Sequence, residues 1–140
     1  MLVCLLGLLA IGQLAAANFA VTISPSTPLV AIQNGTFSPA KSQIECSSGQ
    51  RHLYCCWSSP QLSDCRKCDE KDCPIDGVSV SSDQQKCTVS ILHQNANNAG
   101  TWTCQLYAMS EMAMVPANAS TQLFVVNINE VKNLWINLSM

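Results

Sequence analysis

The chain is poor in charged and aromatic side chains and has no extended basic stretch. Only 11% of its 140 residues are charged, 6% are aromatic, and the formal net charge is −2. A surface with so little positive charge has no field to attract phosphates or an anionic membrane. The sequence therefore predicts that the chain does not bind nucleic acid.

Motifs typical of hydrolases and nucleotide-binding proteins are also missing. The chain has two histidines, His52 and His93, and neither lies in a catalytic or zinc-binding motif. No glycine-rich loop precedes a helical pattern, so phosphate binding has no scaffold. A Ser-His-Asp arrangement is recognised by geometry, and sequence alone leaves it open. We expect both histidines to lie on the surface, and we predict no enzyme activity, cofactor or metal.

The one long apolar run lies at the N-terminus. Residues 1–13 are almost uncharged and lead into Ala15-Ala16-Ala17, a small-residue pattern typical of signal peptidase sites. The run falls short of the ~20 residues that span a bilayer, although a membrane anchor is the alternative. We predict a signal peptide at 1–17, one domain at 18–128 and a C-terminal tail at 129–140, with no membrane insertion.

Cysteine is what the chain has in excess. Of nine cysteines, Cys4 belongs to the predicted signal peptide and eight remain. An even number in an exported chain predicts a disulfide framework with up to four bridges. The eight are Cys46, Cys55, Cys56, Cys65, Cys68, Cys73, Cys87 and Cys104. The expected location is extracellular, as a secreted protein or as the ectodomain of a cell-surface protein.

Three Asn-x-Ser/Thr tripeptides fit the same secretory route. They begin at Asn34, Asn118 and Asn137, which are the predicted glycosylation sites. Each tripeptide is a weak signal by itself because such short patterns arise often by chance.

Alternation of polar and apolar residues predicts an all-β chain. The predicted strands are 19–23, 29–32, 43–46, 53–57, 87–91 and 121–127. The period of two places alternate side chains on the core face of each strand. The side chains predicted to point inward are Ile44, Cys46, Leu53, Cys55, Trp57, Cys87, Val89 and Ile91, and Cys56 is predicted to point outward.

A charged, cysteine-rich insert separates the middle strands. Cys56, Cys65, Cys68 and Cys73 fall within 18 residues and are expected to close as two local bridges. The alternatives are a zinc site, because of the Cys-x-x-Cys spacing, and a redox-active dithiol. The residues from Asp64 onward carry mixed charges, which indicate a solvated loop, with a calcium site as the alternative.

The segment after the last cysteine is a candidate contact surface. Tyr107, Met109, Met112 and Met114 lie in 106–116, which we predict to be a strand end followed by a loop. Methionines provide an adaptable apolar surface of the kind used at permissive interfaces. The other interpretation, which we favour, is that alternate methionines are half-buried strand residues.

Cys46, Trp57 and the run from Asn98 to Cys104 carry a resemblance to a known family. Cys46 and Cys104 are 58 positions apart, Trp57 lies between them, and Gly100-Thr101-Trp102-Thr103-Cys104 surrounds the second cysteine. Across roughly 21–127 the chain resembles the immunoglobulin superfamily. It departs from the family pattern at Asn98, where an acidic residue is usual, and at Trp102, where a tyrosine is usual. Trp102 offers an N–H donor in place of the hydroxyl.

The resemblance implies an immunoglobulin-like antiparallel β-sandwich with a disulfide-rich insert. Cys46 and Cys104 would bridge the two sheets, and Trp57 and Trp102 would pack in the core. The inward positions of Cys55 and Cys87 suggest a second bridge between the sheets. This arrangement is similar to a variant found in some invertebrate cell-surface immunoglobulin domains.

The resemblance also implies an extracellular binding module for adhesion, receptor or immune recognition. It would act through non-covalent contacts with a protein partner, a second copy of the chain included. The alternative from another class is a small cysteine-rich secreted effector, such as an enzyme inhibitor or defence protein. In that case the insert at 56–73 would be the working part.

Overall fold

The computed structural model describes residues 20–33, 41–91, 96–110, 113–127, 132–133 and 136–138. The predicted signal peptide, Asn34, His93 and Met112 lie outside these residues. The described part contains eight strands and two short 3-10 turns, at Cys65–Lys67 and Ala96–Asn98. The strands are β1 (Val21–Ser24), β2 (Leu29–Gln33), β3 (Ser42–Ser48), β4 (Tyr54–Ser58), β5 (Val78–Ser82), β6 (Lys86–Ile91), β7 (Gly100–Ser110) and β8 (Ala113–Asn127).

The strands form two four-stranded sheets. The first sheet has the order β1-β3-β6-β5, and all its pairs are antiparallel. The second has the order β2-β8-β7-β4, in which β2 runs parallel to β8 and the other pairs are antiparallel. The all-β prediction is confirmed at this level, because outside the two 3-10 turns only 132–133 and 136–138 of the described residues are helical.

The inner faces of the two sheets share one hydrophobic core. Alternation buries Ile44 and Cys46 on β3 and Cys87, Val89 and Ile91 on β6, as the sequence predicted. The second sheet contributes Cys55, Trp57, Trp102, Cys104, Leu106 and Leu123. Apolar side chains on one face of each sheet are thereby removed from water, which is the main favourable contribution to folding.

Leu53 departs from this pattern. The sequence predicted it to point inward, yet its side chain is 64% exposed. Leu53 lies in a bend just before β4, although its N–H still donates to the carbonyl of Tyr107 at 2.8 Å. The period of two applies only within an extended strand. Because β4 begins at Tyr54, the alternation does not determine the direction of the Leu53 side chain.

The predicted loop at 106–116 is instead a β-hairpin. β7 continues to Ser110, β8 begins at Ala113, and eleven residue pairs join them. Pro116 lies opposite Tyr107, whose carbonyl accepts from Leu53 on the β4 side. This pair therefore makes no ladder hydrogen bond between β7 and β8, and the N–H that proline lacks is not needed there.

Gly100 begins β7 in a conformation that favours glycine. Its φ is +126°, and a Cβ at this position would lie 2.6 Å from Cγ of Pro60. We expect Gly100→Ala to lower the free energy of unfolding by about 1–3 kcal/mol, because it adds both backbone strain and a contact with a stiff ring. Urea denaturation of the purified protein measures this loss.

Gly49→Ala is the matched control for that substitution. A Cβ on Gly49 would meet nothing within 4 Å. Its unfolding free energy should stay within about 0.5 kcal/mol of the parent protein. Equal losses for the two variants would show that the close approach of Gly100 to Pro60 is not a constraint.

Candidate functional site

Two disulfides join the sheets side by side. The bridge from Cys46 to Cys104 connects β3 to β7, and the bridge from Cys55 to Cys87 connects β4 to β6. These pairings coincide with those that the resemblance implied. Cys46 and Cys87 are register partners on neighbouring strands, and the sulfurs of Cys46, Cys87 and Cys104 lie within 4.8 Å of one another. All three sulfurs belong to disulfides, so they do not provide the thiolates that a metal would need.

Two fully buried tryptophans lie next to these bridges in the second sheet. Trp57 is the register partner of Cys104, and its Nε1 has no hydrogen-bond partner among the described residues. Trp102 lies two residues before Cys104, and its Nε1 donates to the carbonyl of Asn98 at 2.9 Å. The indole of Trp102 thus ties the start of β7 to the preceding turn.

The insert closes against the outer edge of β4. Its bridges run from Cys56 to Cys65 and from Cys68 to Cys73. The N–H of Trp57 donates to the carbonyl of Cys68 at 2.9 Å, and Cys56 forms an isolated bridge with Asp69. Cys56 therefore points away from the core, as predicted, but the insert buries it. Covering an edge strand in this way prevents it from pairing with another chain.

All eight cysteines outside the predicted signal peptide are used in these four bridges. Disulfide formation consumes the thiols that a zinc site or a reduced Cys-x-x-Cys dithiol would require. The sulfurs of Cys65 and Cys68 belong to two different bridges. Their Cys-x-x-Cys spacing in the sequence therefore does not mark a pair of cysteines that bond to each other. The prediction of disulfide bonds is confirmed.

Asp69 holds the insert in place. Its carboxylate accepts hydrogen bonds from the N–H groups of Lys71 and Asp72 and from the hydroxyl of Tyr54. Burial by itself would raise the pKa of Asp69, but these hydrogen bonds lower it below its ordinary value. Burial, together with the bond to Asp69, raises the pKa of Tyr54 to about 12. The carboxylate of Asp69 is thus engaged within the protein and positions the loop.

One end of the second sheet presents an apolar and aromatic surface, which we call the loop-end surface. It consists of Leu53, Tyr54, Tyr107 and Met114. The rings of Tyr54 and Tyr107 lie 5.6 Å apart at 55°, Leu53 is 64% exposed and Met114 is 53% exposed. Aromatic residues and methionine are enriched at protein interfaces, so this surface is a candidate contact site.

The structure brings together part of the predicted contact set. Tyr107 and Met114 lie on the outer face of the β7–β8 hairpin, so Met114 is a strand residue, and about half of its surface is exposed. Met109 lies on β7 without a described side chain, and Met112 lies outside the described residues. Sequence reasoning missed Leu53 and Tyr54. The alternation that predicts an outward direction for Cys56 predicts the same direction for Tyr54, two residues earlier.

The prediction of a surface position for His52 is wrong. Its side chain is only 5% exposed, and its Nε2 lies 2.6 Å from Oγ of Ser82. Burial lowers the pKa of His52, while the charges of Asp83 and Glu70 act in the opposite direction. The imidazole is accordingly mostly neutral at pH 7.

Two of the predicted glycosylation sites lie within the described residues. Asn118 is exposed on β8 opposite Gln105, and Asn137 is exposed near the C-terminus. On β8, Asn118 shares the outer face with Met114 and Phe124 and lies between them. A glycan at Asn118 would border the loop-end surface.

No helix in the described ranges is long and apolar enough to cross a membrane. A scan against protein-family models matches none of them to this chain, and no curated protein is similar to it in sequence.

Proposed function

We propose that this chain is an extracellular immunoglobulin-like module that binds a protein partner through non-covalent contacts. The proposal assigns it no catalytic step, cofactor or metal. It includes recognition in adhesion, in a receptor or in immunity, because all three use the same physical event. That event is the burial of a complementary surface without any change in covalent bonds.

The strand order supports the immunoglobulin-like part of this proposal. If β1, β3, β4, β5, β6, β7 and β8 are strands A to G, the sheets become A-B-E-D and C-F-G, with β2 beside G. The bridge between Cys46 and Cys104 then links strands B and F, and Trp57 lies on strand C. Trp102 donates to a carbonyl four residues upstream, as the corner tyrosine of such domains does.

The observation that carries the binding function is the loop-end surface on a covalently fixed scaffold. Leu53 and Met114 are exposed apolar side chains, and the rings of Tyr54 and Tyr107 pack against each other. Two disulfides cross the core beneath the strands that carry the tyrosines. A rigid support lowers the entropy that binding would otherwise cost.

The insert supports the alternative of a cysteine-rich effector less well. Cys68 is fully buried in the core cluster, and the insert protects the edge of β4. Its cysteines therefore have a structural role, and its removal would uncover the strand that carries Trp57. Under the effector alternative, changing the exposed Arg66 and Lys67 to glutamine would abolish activity; under our proposal, it would leave partner binding unchanged.

Met114→Glu should weaken partner binding about tenfold or more, because a carboxylate would be desolvated without a countercharge. The glycosylated protein would be produced by secretion, immobilised and exposed to surface and secreted proteins of the source tissue. Retained proteins would be identified by mass spectrometry, and their affinity for each variant would be measured by biolayer interferometry. Sedimentation velocity would test a second copy as the partner.

Phe124→Glu is the matched control. Phe124 is 50% exposed on the same face of β8 as Met114, but it lies at the other end of the strand. The proposal expects this variant to bind like the parent protein. The proposed function is wrong if no protein is retained and no self-association occurs. It is also wrong if Met114→Glu binds the partner as well as Phe124→Glu does.

A further inference from the structure

A cleft opens beside the loop-end surface, between the β3–β4 connection and the β5–β6 turn. Its volume is about 710 Å³, within the range of roughly 300–1,000 Å³ that is typical of ligand sites. Leu53 and Tyr54 belong both to its lining and to the loop-end surface. The remaining lining residues are Arg51, His52, Cys55, Glu70, Ser82 and Gln84.

His52 lines this cleft and has a buried hydrogen-bonding atom without a partner. Its Nε2 contacts Oγ of Ser82, but its buried Nδ1 has no partner among the described residues. In a neutral imidazole one nitrogen donates and the other accepts, so Nδ1 lacks a partner in either tautomer. A buried polar atom of this kind destabilises the folded protein until a partner reaches it.

Arg51 brings a positive charge that forms no ion pair within the described part of the chain. The ion pairs found there join Arg66 to Asp64 and Lys86 to Glu45. The guanidinium of Arg51 donates instead to the side-chain amide oxygen of Gln84, and Arg51 is exposed. Arginine is suited to recognising a carboxylate because its fork can donate two parallel hydrogen bonds.

Gln84 holds a strained backbone conformation at the same place. Its φ is +80°, which non-glycine residues rarely adopt. The turn is fixed by Asp83, whose carboxylate accepts from the N–H groups of Gln85 and Lys86, and by the bond from the N–H of His52 to the carbonyl of Gln84. Backbone strain that the surroundings maintain is often found at binding sites.

We propose that this cleft binds an acidic side chain of the protein partner. A carboxylate of the partner pairs with the guanidinium of Arg51, and the buried imidazole of His52 shifts on binding so that its Nδ1 bonds to a polar group of the same segment. Glu70, which also lines the cleft, disfavours a multiply charged anion but accepts from the N–H groups of a peptide chain. Leu53 contributes apolar contact at the rim.

This inference rests on the proposed function for the identity of the ligand as a protein segment, but its test does not require the partner to be known. The probes are three capped tripeptides, acetyl-Ala-X-Ala-amide, in which X is Glu, Gln or Lys. Binding is measured on the complete folded chain by NMR, from the backbone amides of residues 51–54 and 82–84 and from the imidazole of His52.

Arg51→Gln should weaken the Glu probe about tenfold or more, because it removes a charge-assisted hydrogen bond. Arg66→Gln is the matched control, since Arg66 is an exposed arginine that does not line the cleft. His52→Gln places an amide where Nε2 bonds to Ser82 and removes Nδ1. We expect it to weaken the Glu probe several-fold while the thermal midpoint stays close to that of the parent protein.

Saturable shifts with the Glu probe alone, lost in Arg51→Gln and kept in Arg66→Gln, would support the proposal. It is overturned if the Glu probe causes no saturable shifts, if the Gln or Lys probe binds equally well, or if Arg51→Gln has no effect. If the Glu probe does not bind but a partner is captured and Met114→Glu weakens that capture, the proposal for the cleft is refuted and the proposed function stands. A successful titration without any captured partner would refute the proposed function alone.

Discussion

Replacing Cys46 and Cys104 together with alanine should lower the free energy of unfolding by about 4 kcal/mol, and the Cys68→Ala/Cys73→Ala pair should lower it by about 2 kcal/mol. The reason is the length of the chain that each bridge closes, which is 58 residues for the first and 5 for the second. In the chain-entropy model, a longer loop restricts the unfolded chain more. A loss of this size approaches the whole stability of many domains.

The comparison uses double substitutions for a chemical reason. A single change at Cys46 or Cys104 would leave a thiol within 4.8 Å of Cys87, where thiol–disulfide exchange could form a new bridge. Urea denaturation under non-reducing conditions gives the losses, and secreted yield provides a second reading if a variant does not fold. Equal losses for the two pairs would contradict the dependence of the stabilisation on the length of the closed loop.

Trp102→Ala should cost about 3–5 kcal/mol, because it leaves a large cavity and removes a buried donor. Trp102 is fully buried, and its Nε1 bonds to the carbonyl of Asn98. Trp102→Phe separates the two contributions, since it retains most of the ring packing but loses the hydrogen bond. Urea denaturation of both variants measures them.

Trp57→Phe is the control for the hydrogen bond. Trp57 is as deeply buried as Trp102, but its Nε1 has no partner within the described residues. We expect Trp102→Phe to lose about 1 kcal/mol or more beyond the loss for Trp57→Phe. If Trp57→Phe were the more damaging change, the indole of Trp102 would not be acting as a tie to the turn before β7.

The sequence was most informative where cysteine and alternation coincide. Cys46 and Cys87 each lie in a run with a clear period of two, and the structure buries both as that period requires. The resemblance predicted the pairing of Cys46 with Cys104. The inward directions of Cys55 and Cys87 predicted their pairing with each other. The sequence left the pairing within the insert open, because four nearby thiols can pair in several ways and only the folded path selects one.

The features that sequence reasoning missed depend on distant contacts. His52 has no motif, and it is buried because the β5–β6 turn brings Ser82 and Gln84 to it across about thirty residues of sequence. β5 was missed because Val78 and Val80 alternate with serines in a short run that carries little signal. The sequence predicts a shorter β7–β8 hairpin than the structure has, because Pro116 is typical of a loop. Only its position opposite Tyr107 on β7 shows that a strand accommodates it.

The insert has a structural explanation in the position of β4. β4 is an edge strand, and its exposed edge would invite pairing with another chain. Cys68 accepts from the N–H of Trp57 there, and two short bridges hold the covering segment in place. The β4 edge is thus blocked, while the loop-end surface stays exposed.

Disulfide mapping of the secreted protein tests the central claim, two sheets joined through Cys46–Cys104 and Cys55–Cys87, most directly. Trypsin under non-reducing conditions should yield two linked sets of peptides, one of 42–51, 52–66 and 87–132, and one of 68–71 and 72–86. Chymotrypsin would then separate Cys87 from Cys104, and electron-transfer fragmentation would distinguish Cys55 from Cys56. We predict that Cys46 is found with Cys104 and Cys55 with Cys87. A bridge from Cys46 or Cys104 into the insert would contradict the account.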